Sequence, residues 1–422
     1  MSMLIQFSVK NYRSFKDVAV LSMTPSSDVQ KNENVSELEN GERVLNTIAI
    51  YGANASGKTN LLKAFTTAIL LVKRSNLLQV DEKLNEIVPF IFDEETAKEP
   101  SIFEFIFISN AKKYLYGFSA TQTEIVNEYL YEYLTSKPSK IFERQNEVYT
   151  FTQAMNKQLR PIVNRNTKNK LFLASATAWN NTITEPAYKW FSDSINTFTD
   201  YEALPNLAFS RFEGSECKDN MEFALNLLKS SDINIDEFTI ESSEMSDEEL
   251  TQLFGPFLPL IKKSGNMAGQ KKTVNMKHRV EDEEGNIRTY LLNLNEESRG
   301  TANIFYLAPV LCQALKCGET LIIDEIERSL HPILVEKLVA LFNDPLINKQ
   351  HAQLIFNTHN INLLSLDIFR RDQIYFVEKD AKKGSSELYS LDEFSVRKNE
   401  NIQKGYMLGR FGGIPKVYEG LL

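Results

Sequence analysis

The sequence predicts an α/β fold with a parallel core sheet, an antiparallel flanking sheet and an inserted helical subdomain. In the second half of the chain, short apolar runs alternate with helical segments, as in buried parallel sheets. Residues 101–134 alternate apolar and aromatic side chains in the manner of antiparallel strands. Between residues 152 and 259, helical segments are separated by clusters of Asn, Ser, Thr and Pro.

The first part of the chain centres on a glycine-containing loop. Met3 to Val9 and Val18 to Met23 read as strands joined by the segment KNYRSF, and a polar stretch follows them. The apolar run Thr47 to Tyr51 then leads into GANASGKT at residues 52–59. From Asn60 onward, apolar residues recur at helical spacing. Strand, loop and helix in this order are the context that a phosphate-binding loop requires.

The residue types in this loop suit a nucleoside triphosphate. Small residues allow consecutive backbone N–H groups to turn inward around a polyphosphate, and the following helix adds its positive N-terminal end. Lys58 can reach the β- and γ-phosphates, and the Thr59 hydroxyl can bind the Mg²⁺ that bridges them. We therefore predict a P-loop protein that binds a nucleoside triphosphate and Mg²⁺ through Gly52, Asn54, Ser56, Gly57, Lys58 and Thr59. The loop alone leaves kinases, GTPases and ATPases open, and the segments in the second half of the chain favour an ATPase.

The periodicity divides the chain into three segments. Residues 1–150 form an ATPase lobe whose later strands include 89–92, 101–108, 114–120 and 123–134. Residues 151–270 form a mainly helical insertion, with helices at 171–179, 186–198, 220–228 and 247–254. A Lys- and Gly-rich link at 262–272 reads as a solvated loop rather than a basic patch. Residues 271–422 complete the ATPase lobe.

The final segment begins with a predicted hairpin and continues with alternating helices and strands. The hairpin pairs 273–280 with 287–294 around the turn EEGN. The elements that follow are a helix at 300–315, a strand at 320–323, a helix at 332–342, a strand at 353–357, a short helix at 362–366 and a strand at 373–377. These strands are predicted to extend the parallel core.

Two of these strands end in residues suited to nucleotide hydrolysis. Asp324 follows the strand 320–323 and is predicted to hold Mg²⁺, and Glu325 beside it is the candidate general base for the attacking water. His359 follows the strand 353–357, where a neutral imidazole could contact the γ-phosphate or the water. Glu325, His359 and Lys58 are thus the predicted catalytic residues. His331, which precedes Pro332, reads instead as a helix-capping residue.

The segment ESRGT at residues 297–301 precedes another helix. Ser298 and Gly300 at the N-terminus of this helix form either an ordinary helix cap or a second anion-binding device. Two phosphate-seeking helix ends in one chain suggest an arrangement in which two subunits sandwich ATP. Each subunit would then offer its P-loop to one nucleotide and Ser298 and Gly300 to the other.

Composition narrows the function classes. No apolar run reaches the 18 or so residues of a membrane span, and the N-terminus lacks the pattern of a signal peptide, so we expect a cytoplasmic protein. The three cysteines show no disulfide framework or metal-ligand spacing. The formal charge of −9 gives no support to a DNA-coating surface, although a local basic groove would not show in the total.

The order of the segments GANASGKT, ESRGT, LIIDE, SLHP and FNTH resembles the ABC-type ATPase heads of the RecF, SMC and OLD group. The start FSVKNYRSFKD and the end YSLDEFSVRKNENIQKGYMLGRFGGIP are similar to those of prokaryotic restriction-linked, abortive-infection AAA ATPases. The resemblance implies a two-lobed head with an inserted helical region and dimerisation on ATP. It also implies a role in phage defence beside a separate effector.

The same resemblance implies roles for individual residues. Ser298 and Gly300 become the signature that contacts the opposite nucleotide, Asp324 and Glu325 the Walker B pair, and His359 the switch histidine. Arg13 would support the base or α-phosphate, or serve the structure alone. The sequence departs from the pattern in three places: ESRGT replaces LSGGQ, no glutamine stands at an obvious Q-loop position, and Asn360 replaces a common aspartate.

Four functions remain open on the sequence. The first is an ATPase, a homodimer or higher homo-oligomer, that regulates a separate effector such as a nuclease or toxin in antiphage defence. The second is a weakly hydrolysing scaffold that ATP holds together around an effector or DNA. The third is a DNA-repair ATPase of the RecF or SMC kind. An OLD-type nuclease is disfavoured because only about 60 residues follow His359, too few for a typical additional domain.

Overall fold

The structure is a computed structural model that describes residues 2–38, 41–199, 201–214, 216–231, 234–255, 270–397 and 400–414. The chain separates into two compact units. The first comprises Met1–Glu202, Gln313–Glu327 and His331–Leu422, and the second comprises Ala203–Cys312 and Arg328–Leu330. No helix among the described residues is long and apolar enough to cross a membrane.

The strands of the described residues are β1 (Ser2–Lys10), β2 (Ala19–Ser22), β3 (Val35–Glu37), β4 (Arg43–Leu45), β5 (Thr47–Tyr51), β6 (Ser101–Ser109), β7 (Lys112–Ala120), β8 (Ile125–Tyr133), β9 (Pro138–Gln145), β10 (Val148–Phe151), β11 (Ile195–Phe198), β12 (Ile235–Glu244), β13 (Gln270–Glu281), β14 (Ile287–Asn293), β15 (Thr320–Ile323), β16 (Gln353–Asn357), β17 (Ile374–Lys379) and β18 (Ser386–Ser390). The α-helices are α1 (Lys58–Arg74), α2 (Gln153–Val163), α3 (Phe172–Ala178), α4 (Glu185–Lys189), α5 (Leu204–Glu213), α6 (Cys217–Ser230), α7 (Asp247–Phe254), α8 (Arg299–Cys317), α9 (Pro332–Asn343) and α10 (Ile402–Met407).

A six-stranded sheet of order β11-β15-β16-β5-β17-β18 forms the core of the first unit. All neighbours are parallel except β17 and β18. Every residue of β5, β15 and β16 is buried, because a parallel sheet covered on both faces requires continuous apolar strands. The predicted parallel core is therefore confirmed, and these three strands have the predicted bounds.

A seven-stranded antiparallel sheet of order β10-β9-β8-β7-β6-β1-β2 flanks this core, as predicted. Helix α1 contributes its apolar stripe to a hydrophobic cluster that includes residues of both sheets. Phe65 of α1 stacks on Phe7 of β1 at a ring-centroid distance of 3.7 Å and meets Phe105 of β6 edge-on. The helix that follows the P-loop is thereby fixed to the antiparallel sheet.

Two predictions in the first unit were wrong, and strands β9 and β10 were not anticipated. Residues 89–92 are irregular rather than a strand. The predicted helix at 186–198 is only the short α4, a π-helical turn at Trp190–Ser194 and then β11. Strand β11 pairs with β15, and this tertiary pairing outweighs the helical pattern of the preceding residues.

The compact units differ from the three segments predicted from the sequence. Helices α2 to α4 belong to the first unit, where Glu128 of β8 accepts hydrogen bonds from the backbone N–H groups of Phe172 and Leu173 at the start of α3. The buried Arg144 guanidinium lies 3.8 Å from the Glu128 carboxylate. The insertion therefore begins near residue 203 rather than 151.

The second unit combines helices with the antiparallel sheet β12-β13-β14, so the insertion is mixed rather than mainly helical. The predicted hairpin is confirmed as β13 and β14. Phe305 of α8 packs against Phe212 of α5 and Phe238 of β12 in an aromatic cluster. Of the predicted link at 262–272, residues 262–269 lie outside the described residues, and the remainder begins β13.

Phe65→Ala should lower the free energy of unfolding by about 3–5 kcal/mol, because it removes a fully buried ring between α1 and the antiparallel sheet. Urea denaturation measures this loss. The matched control is Phe92→Ala, which truncates a phenylalanine that is 65% exposed and should cost less than about 1 kcal/mol. Equal effects of the two changes would contradict the assigned core.

The stability of the wild type relative to Glu128→Gln should fall as the pH rises from about 4.5 toward 8. Burial raises the pKa of the Glu128 carboxyl, and Arg144 together with the hydrogen bonds from Leu173, Phe172 and Tyr116 only partly opposes this. A raised folded pKa means that the folded state binds more protons, so deprotonation destabilises it. Paired urea titrations at pH 5 and pH 8 measure the change, and a constant difference would contradict it.

Candidate functional site

The P-loop adopts backbone conformations that its glycines allow. Gly57 has φ of 118°, and a Cβ there would lie 2.5 Å from the Ser386 hydroxyl and 2.8 Å from that of Ser14. A Cβ on Gly52 would lie 2.7 Å from Ser56 Oγ. Both sites therefore exclude side chains for steric reasons. Asn54 at the tip of the loop is exposed, whereas Ser56 is buried.

Two serines that sequence reasoning missed brace this loop. The Ser386 hydroxyl donates to the carbonyl of Ser56, and the Ser386 N–H donates to the carbonyl of Ser14 at 2.6 Å. Asn60, in the first turn of α1, donates to the Ser14 hydroxyl at 2.9 Å. The P-loop is thus held between the N-terminal segment and β18. No pattern around either serine distinguishes it in the sequence.

Arg13, which directly precedes Ser14, has hydrogen bonds to Tyr12 and Val88 among the described residues rather than to the P-loop. Its Nε donates to the Tyr12 hydroxyl at 3.1 Å, and its guanidinium lies 5.5 Å from the centre of the Tyr12 ring. Its backbone has φ of 50°, and its N–H donates to the carbonyl of Val88. These contacts suit the structural role that the sequence left open, and nucleotide binding by Arg13 stays a prediction.

Lys58 is buried with its ammonium turned back onto the loop. Nζ donates to the carbonyls of Gly52 at 2.8 Å and Ala53 at 3.1 Å. Burial lowers the pKa of Lys58 to about 8, against the opposing effect of Asp324 and of Glu327 and Glu325. A phosphate placed in the loop would raise this pKa again, because a nearby anion favours the ammonium form.

Thr59 and Asp324 meet across the sequence. The Thr59 hydroxyl donates to Asp324 Oδ1 at 3.2 Å. Octahedral Mg²⁺ with ligands at about 2.1 Å has adjacent oxygens about 3 Å apart, so this pair fits two neighbouring positions around the ion. Protein Mg²⁺ sites commonly use one or two carboxylates together with substrate phosphates.

Asn357, the last residue of β16, was not predicted to be part of the site. Its Nδ2 donates to Asp324 Oδ1, and its Oδ1 accepts from the backbone N–H of Glu325. Burial raises the pKa of the Asp324 carboxyl, and the hydrogen bonds from Asn357 and Thr59 lower it again. An amide at the end of an otherwise apolar strand, two residues before a histidine, is the signal that could have identified Asn357.

The Glu325 side chain is exposed, and its backbone has φ of 52°, in the left-handed region. Non-glycine residues seldom adopt this conformation, and surrounding structure must hold them in it. The N–H bond to Asn357 and a bond of 3.0 Å from the Tyr201 hydroxyl to the Glu325 carbonyl do so. Glu325 is therefore exposed beside the buried Asp324, and its charge still raises the pKa of the Asp324 carboxyl.

His359 follows β16 at the same edge of the sheet. Partial burial, and then the positive charge of Lys58, lower the pKa of its imidazole, so the ring is neutral at pH 7. Its backbone N–H donates to Glu327 Oε1.

A cavity of about 350 Å³ lies between the P-loop and the segment that follows β16. It is lined by Gly52, Asn54, His359 and the neighbouring residues Tyr51, Ala53, Thr358, Ile361, Tyr406, Met407 and Ile414.

Ser298 and Gly300 lie in the second unit. The Thr301 N–H donates to Ser298 Oγ at 3.1 Å, which is the hydrogen bond of a helix N-cap. A Cβ on Gly300 would lie 2.7 Å from the carbonyl of Ser329. The structure thus contains the ordinary cap, and contact with an opposite nucleotide stays a prediction.

His331 caps α9, as predicted, because the backbone N–H of Ile333 donates to His331 Nδ1.

Residues 48–365 match the family model described as "AAA domain, putative AbiEii toxin, Type IV TA system". The chain belongs to this AAA family. Family membership agrees with the P-loop geometry, and a P-loop ATPase of this kind binds nucleotide. The predicted relation to abortive-infection ATPases is confirmed at this level.

Several solved SMC heads are similar in fold to this AAA protein. The SMC head domain from Thermotoga maritima shows 12% identity, with 92% of this chain and 98% of that chain covered and a TM-score of 0.41. An Smc head bound to the C-terminal domain of ScpA, derived from Pyrococcus furiosus, shows 13% identity, coverages of 92% and 96% and a TM-score of 0.40. A search of curated proteins found no match.

Gly57→Ala in this AAA protein should weaken binding of a fluorescent ATP analogue at least about 10-fold, because the added methyl group displaces Ser386 or Ser14 and strains a left-handed backbone. Equilibrium fluorescence titration measures the affinity. Gly214→Ala is the matched control, since a Cβ there meets no atom closer than 3.7 Å. Unchanged binding in Gly57→Ala would show that the loop does not hold the phosphates.

Proposed function

We propose that this AAA protein is a Mg²⁺-dependent ATPase that dimerises on ATP and regulates a partner effector in antiphage abortive infection. The observation that carries the catalytic part is the convergence of Lys58, Thr59, Asp324 and His359. Lys58 and Thr59 begin α1 after the P-loop that follows β5, and Asp324 and His359 follow β15 and β16, which are consecutive with β5 in the sheet. The bond from Thr59 to Asp324 and the effect of the Lys58 charge on His359 bring the four together. The carboxyl edge of a parallel sheet is where such folds bind ligands.

The residues suit an in-line attack of water on the γ-phosphorus. Lys58 exchanges its bonds with the loop carbonyls for bonds with the β- and γ-phosphates. Mg²⁺ held by Thr59 and Asp324 would neutralise phosphate charge. Glu325 takes the proton as the water oxygen bonds to phosphorus and the bond to the β-phosphate oxygen breaks, which releases ADP and phosphate. His359, neutral at pH 7, donates a hydrogen bond to the γ-phosphate.

The exposure of Glu325 supports a composite site. A general base that faces solvent is poorly placed for catalysis until another surface excludes bulk water. In the proposed homodimer, the α8 N-terminus of one subunit, with Ser298 and Gly300, covers the nucleotide held by the P-loop of the other. ATP then acts as both substrate and part of the interface.

The role in defence is supported by the family. The description of the matched model names a toxin and a toxin–antitoxin system. We propose that the ATP-driven dimer controls a separate effector, a nuclease or toxin, in the cytoplasm. DNA binding gains no support from the net charge of −9.

Glu325→Gln should abolish steady-state hydrolysis, with kcat lower by about 10²–10⁴-fold, because an amide cannot accept the proton. ATP-bound dimers should accumulate, as measured by light scattering after size-exclusion chromatography with ATP and Mg²⁺. The control is Glu336→Gln, an exposed carboxylate of α9.

Ser298→Ala should reduce dimer formation while leaving affinity for ATP in the monomer unchanged.

Each result bears on one part of the proposal. Wild-type turnover in Glu325→Gln would remove the base assignment. A wild type that binds ATP without turning it over would favour the ATP-held scaffold. Salt-dependent DNA binding that rises with ATP would favour the repair ATPase. Toxicity of the chain expressed without any neighbouring gene would replace the regulator with a toxin.

A further inference from the structure

A third carboxylate, Glu327, stands in the candidate site without a role in the reaction as described above. Its Oε1 accepts the backbone N–H of His359. Its Oε2 is buried, and no group among the described residues hydrogen-bonds to it. A buried carboxylate oxygen without a donor costs folding free energy, so it calls for an explanation.

Three further buried polar atoms at this edge of the sheet lack a partner among the described residues. They are the hydroxyl of Tyr51, which ends β5, Oγ of Ser56 in the P-loop, and Nδ2 of Asn360, which follows β16. Glu327 follows β15, and β15, β16 and β5 are consecutive in the sheet. Buried polar atoms that the protein leaves without partners are commonly satisfied by bound water.

The Glu327 carboxylate lies close enough to Lys58 and His359 for its charge to raise the pKa of both side chains, as the charges of Asp324 and Glu325 also do. Because its Oε1 accepts the His359 N–H, Glu327 lies beside the backbone of His359 and near the Lys58 ammonium.

We propose that Glu327 is a further catalytic residue: Oε1 holds the switch histidine in place, and Oε2 accepts a hydrogen bond from the attacking water. This rests on the proposed hydrolysis of ATP. Glu327 keeps no proton in the reaction, because the proton passes to Glu325. Its bond aligns one O–H of the water so that an oxygen lone pair faces the γ-phosphorus. Glu327 thus fills the water-orienting position for which the sequence offers no glutamine.

The local sequence explains why Glu327 can reach this position. Ile326 is fully buried, and its N–H donates to the carbonyl of Asn357 at 3.4 Å. This anchor holds the chain against the end of β16 directly before Glu327. The carboxylate is thereby delivered beside the backbone of His359, while Glu325 on the other side of the anchor stays exposed.

Glu327→Gln isolates the function of Oε2. The amide oxygen can still accept the His359 N–H, whereas the amide nitrogen presents a donor where the water needs an acceptor. We expect kcat for ATP to fall about 10- to 100-fold with KM changed less than about threefold. Retention of ADP–aluminium fluoride, whose axial water mimics the attacking water, should fall in parallel. Affinity for a fluorescent ATP analogue and the urea midpoint should match those of the wild type and of the control Glu336→Gln.

The outcomes separate this role from others. Turnover by Glu327→Gln within about twofold of the wild type would overturn the role of Glu327 and leave the proposed function standing. A lower urea midpoint together with weaker binding of the ATP analogue would show that Glu327 is structural and overturn it as well. A wild type that binds ATP but neither hydrolyses it nor retains ADP–aluminium fluoride would contradict both proposals.

Discussion

The amide of Asn357 connects the two strands on which the candidate site depends. Its Nδ2 donates to the Asp324 carboxylate and its Oδ1 accepts from the Glu325 N–H. Both groups of the amide therefore bind the two residues that follow the adjacent strand β15. This holds Asp324 near Thr59 and keeps Glu325 in a left-handed conformation. Without it, the buried Asp324 would keep only the Thr59 hydroxyl as a donor, and burial would raise the pKa of its carboxyl against weaker opposition. One side chain thus holds both the carboxylate of the proposed Mg²⁺ pair and the backbone of the proposed base.

The buried ammonium of Lys58 links the fold to nucleotide binding. The ammonium donates two hydrogen bonds to carbonyls of the loop, yet burial still lowers the pKa of Lys58 to about 8. The protein therefore holds a cation in a place where its charge is incompletely compensated, and a polyphosphate supplies the missing negative charge. Gly52 and Gly57, which leave no room for side chains, let the backbone approach closely enough for that exchange.

The sequence predicted the parts of the site that depend on local pattern. The P-loop and the strands β15 and β16 were found because buried parallel strands and a glycine loop leave strong signals over a few residues. Strand β11 was missed since its pairing with β15 joins segments more than 120 residues apart. Ser14 and Ser386 were missed for a similar reason. Each is an ordinary polar residue whose contact with the P-loop or α1 exists only in the folded chain.

The carboxylates of Asp324, Glu325 and Glu327 occupy three different environments because the backbone between them is irregular. Asp324 ends a buried strand and receives hydrogen bonds from an amide and a hydroxyl, which suits a constant metal ligand. The left-handed turn at Glu325 sends the next carboxylate to the surface, where a second subunit could enclose it. Ile326 then returns the chain to the core, which brings Glu327 to the N–H of His359. A regular strand or helix would have spaced these groups by its own period. The irregular turn instead gives the proposed metal ligand, base and water-orienting acceptor three different environments beside one P-loop.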